Sequence, residues 1–215
     1  MFLNEEVRKE LKQVFSELDK KVELHVFSEE LECRFCKETV ALCQEVSEIM
    51  PEKIEVKTYN FYQDKEAKEK FGVERVPAIA LTNEDGEDNG LRFFGVPSGY
   101  EFSSLVEAVK MVSTGKTMLS EETKQFLDEL ESPVDLQVFV TPSCPYCPGA
   151  VILALQMAAH SPNVKAAMVE AQEFPQLSAK FAVRGVPRTV INEVAFQEGA
   201  APEAMIIDKI REALQ

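Results

Sequence analysis

The chain is 215 residues long, 45% hydrophobic, with a formal net charge of −14 at pH 7, which allows a sizeable core in one or two domains. Residues 118–215 hold 13 acids and 7 bases and the rest 24 and 16, so neither half offers the basic stripe that phosphate neutralisation needs, and nucleic-acid binding is excluded. No run reaches the roughly 18 apolar residues of a membrane span. The opening Met1-Phe2-Leu3-Asn4-Glu5-Glu6 lacks the basic and apolar segments of a secretory leader. The expected location is cytoplasmic, with the acidic excess serving as a solvated surface.

In chain order, Leu3, Val7, Leu11, Val14, Phe15 and Leu18 recur at helical spacing and predict a lead helix. A strand is expected over 22–27, followed by Cys33-Arg34-Phe35-Cys36 and an apolar-periodic helix to about Met50. A second strand falls at 54–59 and a short helix near 63–71. Val76-Pro77 comes next, then a hairpin with Asp85-Gly86 in its loop and a closing helix over 102–112. Ser113-Thr114-Gly115-Lys116 reads as a link, because Gly115 breaks the preceding helix.

The second half repeats this plan at an offset of 110 or 111. Ser120 is a candidate N-cap for a helix carrying Phe126, Leu127 and Leu130. A strand at 136–140, Cys144-Pro145-Tyr146-Cys147, a helix to about Ala159, a strand at 164–169 and a short helix near 174–181 follow. Val186-Pro187, a tight hairpin around Asn192-Glu193 and a helix over 202–214 complete the copy. His25-Val26-Phe27 falls near Val138-Phe139-Val140 and Lys70-Phe71 meets Lys180-Phe181. A period this long means duplicated domains, since solenoid repeats run to about 20–50 residues. The expectation is an α/β protein of two units, 1–115 and 116–215, each a small mixed four-stranded sheet flanked by helices.

The paired cysteines carry the chemistry. In each copy the first cysteine is expected at the start of a helix, where unpaired N–H groups and the helix dipole stabilise a thiolate. The second, with two residues between, stands close enough to resolve a mixed disulfide. Cys33 and Cys144 are the candidate nucleophiles; Cys36 and Cys147 are the candidate resolving thiols. A purely structural disulfide is disfavoured, since closing a four-residue loop stabilises by only roughly 2 kcal/mol. Zinc is disfavoured because zinc ribbons place their CxxC pairs about 15–20 residues apart. Gly115-Lys116-Thr117 resembles the end of a phosphate loop, but Lys110 stands where that loop needs glycine. Cys43, seven residues after Cys36, reads as a core residue. His160 is expected to end a helix, where a cation is mildly favoured, and neither histidine supports a Cys-His hydrolase. Glu23 with His25, and Asp135 with Gln137, are either polar groups beneath the cysteines or ordinary strand-end residues.

A strand, CxxC, helix, later Val-Pro, hairpin and closing helix, all present twice, resemble the tandem thioredoxin-fold protein disulfide oxidoreductases of glutaredoxin-like type. Cys144-Pro145-Tyr146-Cys147 is that motif in full, whereas Cys33-Arg34-Phe35-Cys36 is less typical. The resemblance implies cis peptide bonds at Pro77 and Pro187, with Val76 and Val186 pairing with a substrate chain as an added strand. It implies reduction, oxidation and isomerisation of protein disulfides with no cofactor beyond the cysteines, and a thioredoxin-reductase-type flavoenzyme as electron partner. Two other readings remain open at this level: a dedicated electron carrier for a peroxidase-type partner, and a peptide-binding or chaperone module with incidental cysteines.

The two sites are expected to differ. Glu29, Glu30, Glu32, Arg34, Lys37 and Glu38 crowd the first, while 141–151 carry no charge. Carboxylates oppose a thiolate, so Cys144 is expected to have the lower pKa and its site to be the more oxidising. Pro145 falls in the expected first turn and Pro148 deeper, where a small kink is anticipated.

Overall fold

The computed structural model describes residues 2–215. The first half runs α1 (Glu5–Phe15), β1 (Val22–Ser28), α2 (Cys36–Ser47), β2 (Ile54–Asn60), α3 (Lys65–Phe71), β3 (Ala78–Asn83), β4 (Asp88–Phe94), a 3-10 turn (Gly99–Glu101) and α4 (Phe102–Thr114). The second half repeats the order as α5 (Glu121–Asp128), β5 (Val134–Val140), α6 (Cys147–His160), β6 (Val164–Glu170), α7 (Pro175–Lys180), β7 (Arg188–Ile191), β8 (Ala195–Glu198) and α8 (Glu203–Ala213). Local chemistry sets the helix ends. Asn4 and Ser120 cap α1 and α5 by accepting the N–H groups of Val7 and Thr123. Gly115 ends α4 in the left-handed conformation, φ 65°. Among the described residues, no helix is long and apolar enough to cross a membrane.

The two expected sheets are not separate. All eight strands form one sheet in the order β2-β1-β3-β4-β6-β5-β7-β8, fused by parallel pairing of β4 with β6 from Leu91↔Ala166 to Phe94↔Val169. The fusion explains why two equivalent strands differ in composition. β2 is an outer edge and carries Glu55, Lys57 and Tyr59, charges and polar groups that blunt an open edge. Its counterpart β6 is buried between β4 and β5 and reads Val-Lys-Ala-Ala-Met-Val-Glu. Gly90 marks the close approach: its φ is +73°, and a Cβ there would stand 2.9 Å from the Val164 carbonyl oxygen.

One face of the sheet carries a core that runs through both halves, from Leu24 and Leu105 to Leu136 and Leu155, with α4 packed on α6 across the seam. The other face holds a second cluster of Phe27, Phe71, Phe94, Phe139 and Phe181. Strand registers equate Phe27 with Phe139, both paired to the residue after the Val-Pro, so the β1-to-β5 offset is 112. The β1–α2 loop is therefore one residue longer than the β5–α6 loop, which is why the cysteines themselves align at 111.

Candidate active site

Parallel pairing of β1, β4, β6 and β5 brings the carboxyl ends of these strands, and both cysteine loops, to one edge of the sheet. Both pairs are disulfide-bonded, each with Cα atoms 5.5 Å apart. In each pair the second sulfur is the deeper. Cys36 and Cys147 are 1% and 0% exposed, whereas Cys33 is half-buried and Cys144 is 9% exposed.

The helices begin at the second cysteine rather than the first: α2 opens at Cys36 and α6 at Cys147. Cys33 and Cys144 sit in the preceding turn, beside the first-turn N–H groups that lack intrahelical partners. This start also relocates the prolines. Pro145 lies before α6, and Pro148 falls in its first turn, where a missing N–H costs little, so the kink expected at Pro148 has no cause.

Both Val-Pro bonds, Val76-Pro77 and Val186-Pro187, are cis. The Val186 carbonyl oxygen lies 3.8 Å from Cys144 Sγ. The carbonyls of Pro77 and Pro187 accept N–H groups from Gly95 and Gly199 of their hairpins. Val76 and Val186, by contrast, make no backbone–backbone hydrogen bond among the described residues, which leaves their polar groups open to an added strand.

The charges at the first site are not all directed at sulfur. Glu29 is buried, and its carboxylate accepts the N–H groups of Leu31 (2.8 Å) and Glu32 (2.6 Å). It shapes the longer loop, while its own N–H points to Cys36 Sγ at 3.4 Å. Arg34 lies over the Phe35 ring at 5.1 Å. At the second site Tyr146 is 73% exposed, and the loop from Thr141 to Cys144 is uncharged.

Neither polar pair lies beneath the cysteines; Glu23 and Asp135 stand at the second residue of β1 and β5, near the strand starts, as the other reading had it. Glu23, His25, Asp135 and Gln137 occupy the sheet face away from α2 and α6, shared with Phe27 and Phe139. His25 packs on Phe71 at 4.4 Å, and burial lowers its pKa to about 4. Cys43 is fully buried in the main core, and its thiol is pushed up to about 12 by burial. His160 ends α6 and lies 3.0 Å from Asp128.

Sequence reasoning missed three carboxyls at the active-site edge. Glu101, 1% exposed, closes the 3-10 turn of the first half, which packs on α6 and on the second cysteine loop. There Tyr100 N–H donates to the Pro142 carbonyl at 3.0 Å, and a Cβ on Gly99 would stand 2.3 Å from that oxygen. Burial raises Glu101 to about 7, eased in part by the Ser104 hydroxyl; its Oε1 has no partner among the described residues. Glu170 ends β6 and Glu173 follows it, at the seam. Burial raises both, Glu173 to about 7, with Glu170 and Glu38 of α2 adding repulsion and the Val96 N–H opposing it. The one sequence signal was an acid, Glu101, directly before the apolar-periodic closing helix.

Two CxxC sites on two such folds define a thioredoxin-type disulfide oxidoreductase. The model of the thioredoxin domain family matches residues 134–212. A protein disulfide oxidoreductase from Aeropyrum pernix superposes with a TM-score of 0.89 at 32% identity, covering 99% of this chain and 94% of that one. AhpF of Enterococcus faecalis, a component of alkyl hydroperoxide reductase, superposes with a TM-score of 0.90 at 27% identity, over 98% of this chain and 100% of that one. Its namesake in the alkyl hydroperoxide reductase of Pseudomonas putida is 31% identical over 136 residues, 63% of this chain but 26% of that protein. This chain thus spans about a quarter of the length of that curated relative. The chain belongs to the tandem thioredoxin-fold protein disulfide oxidoreductases.

Proposed function

We propose that the chain exchanges disulfides with protein substrates through mixed disulfides, with Cys33 and Cys144 attacking and Cys36 and Cys147 resolving. The observation that carries this reading is the depth difference within each pair: the outer sulfur can meet a substrate, and the inner one is positioned to displace it. In the reductive direction, Cys144 thiolate bonds to one substrate sulfur as the substrate S–S bond breaks, and the other sulfur leaves as a thiolate that takes up a proton. Cys147 thiolate then attacks Cys144, closing the Cys144–Cys147 disulfide and releasing the second substrate thiol. Oxidation is the reverse, and isomerisation requires both. Val76 and Val186 pair with the substrate backbone, and Pro77 and Pro187 shape the approach. Glu101, held near neutrality, accepts and returns the proton of the second site. Beyond the cysteines no cofactor is invoked, and a thioredoxin-reductase-type flavoenzyme in the cytoplasm recharges the pairs.

Insulin reduction tests the reading. Turnover is expected in the full chain and lost when Cys33 and Cys144 are both changed to Ser; turnover that survives would leave a peptide-binding module with incidental cysteines. A second reading has a specific basis in the AhpF relatives: a dedicated electron carrier for a peroxidase-type partner. Efficient reduction of a peroxidase disulfide alongside feeble insulin turnover would favour it.

A further inference from the structure

The seam leaves a hollow on the sheet face away from α4 and α6. The pairings of β4, β6 and β5 set Arg92, Ala167 and Gln137 in one row across three strands. Ala167 ends at Cβ, so the middle of the row is empty. The resulting cavity of about 340 Å³ is lined by Arg75, Arg92, Asp135, Gln137, Lys165 and Ala167, with the end of α3 as a wall. Its size and its place between two units are those of small-molecule sites.

The first copy shows what the hollow lacks. Strand registers equate Gln137 with His25, Asp135 with Glu23, Ala167 with Lys57 and Val169 with Tyr59. In the first copy these polar groups satisfy one another. Lys57 Nζ stands 2.7 Å from Glu23 Oε1, and His25 meets Tyr59 OH at 3.1 Å and Thr82 Oγ1 at 2.9 Å. In the second copy Ala167 and Val169 supply no donor. Gln137 Nε2 donates to Asp135 Oδ2 at 2.7 Å. Gln137 is 8% exposed, and its Oε1 is buried without a hydrogen-bond partner among the described residues, an arrangement that a native fold rarely leaves unmet.

Charges of both signs stand at the rim. Half-buried Arg75 lies 3.5 Å from Glu74, Glu193 lies 2.7 Å from Lys180, and Lys165 is exposed at the mouth with no ion-pair partner among the described residues. Arg92 is committed elsewhere, its guanidinium held by Asp88 and by the Phe71 and Leu91 carbonyls. The floor therefore offers a carboxyl and an amide oxygen, and the rim offers Lys165 and those guanidinium donors of Arg75 that Glu74 does not take, Glu193 being held by Lys180. A simple anion would face Asp135 and leave Gln137 Oε1 unmet, and a simple cation would leave the rim unmet. A metal ion would find one carboxylate and one amide on the floor, since Glu74 and Glu193 at the rim are engaged by Arg75 and Lys180, and this is too few ligands to hold it.

We propose that the hollow binds a small zwitterion of the amino-acid or dipeptide class. Its ammonium group takes the place that Lys57 fills in the first copy, donating to Asp135 and Gln137 Oε1, and its carboxylate meets Arg75 and Lys165. Neither cysteine pair lines the hollow, so this binding stands or falls apart from disulfide exchange.

Dialanine is a suitable probe, titrated into the full chain and followed by calorimetry and amide chemical shifts. Saturable binding is expected, with shifts centred on Gln137 and Ala167. Capping either end, as N-acetyl-dialanine or as dialanine amide, should weaken it about tenfold or more, the worth of one charge-assisted contact. Ala167→Lys places the first copy's lysine in the hollow and should abolish binding while insulin reduction persists. Asp135→Asn keeps the shape and should weaken binding about tenfold. Absence of saturable binding at millimolar dialanine, equal binding of the capped forms, or unchanged affinity in both variants would overturn the proposal.

Discussion

The two cysteine sites share a fold, a spacing and a cis Val-Pro, yet they sit in different surroundings. At the first, the loop has one more residue, tied down by Glu29, acids and bases of its own half crowd it, and Glu173 of the other half faces Glu38. The second is uncharged and leans on the other half, whose 3-10 turn grips Pro142 and buries Glu101 nearby. Duplication thus preserved the sulfur geometry, while the seam buried a carboxyl of the opposite half toward each site, Glu101 by the second cysteine loop and Glu173 toward α2. A carboxyl raised to about 7 exchanges a proton near neutral pH, whereas the ionised carboxylates crowding the first site oppose a thiolate.

The comparison can be broken most directly at the sulfurs. Changing Cys144 and Cys147 to Ser should remove most insulin turnover, and changing Cys33 and Cys36 should remove the smaller share; the opposite ranking would invert our account of the two sites. Next in size is the seam. Gly90→Ala places a Cβ against the Val164 carbonyl at positive φ, and should cost about 1–3 kcal/mol in urea unfolding.

Two buried ionisable groups of the first half differ in sign, and pH separates them. Glu101 is raised, so the folded state binds its proton more tightly than the unfolded chain does. Stability is lost as pH rises from about 4.5 through about 7, by roughly 3 kcal/mol for this buried group. His25 is lowered to about 4, so its contribution runs the other way, and stability is lost as pH falls from 6.5 towards 4. Denaturant midpoints measured from pH 4 to 8 should therefore fall less steeply with pH in Glu101→Gln than in the wild type, and less steeply on acidification in His25→Gln, which copies Gln137. Glu101→Gln should also flatten the neutral-pH dependence of the second site's rate. The smallest expected difference lies in the thiolates: in variants keeping one pair each, ultraviolet thiolate absorbance should place Cys144 below Cys33. A higher value at Cys144 would contradict the electrostatic argument.

Much of this architecture was legible in the chain. The cysteine spacings, the repeated Val-Pro and the alternation of helical and strand periodicity are local signals, and they located every helix and strand to within a few residues. Local signals failed where distant segments meet. Periodicity could call for two sheets but could not reveal that β4 would pair with β6, because a strand edge is satisfied by any strand that reaches it. The small residues of β6 were a sign of that burial, but they became readable only beside polar β2. The setting of Glu23 and His25 stayed open for a related reason, since alternation along a strand identifies two faces without saying which one the cysteine helix covers.

The amino-acid sequence by itself determined the pairing chemistry, because reach between two thiols depends on a few bonds of adjacent backbone. Only the tertiary structure decided which acids are buried, which copy keeps an unmet acceptor at Gln137, and which cysteine loop the turn carrying Glu101 packs on. Burial and hydrogen-bond satisfaction depend on what packs from the other half of the chain, and that is settled by the seam between β4 and β6.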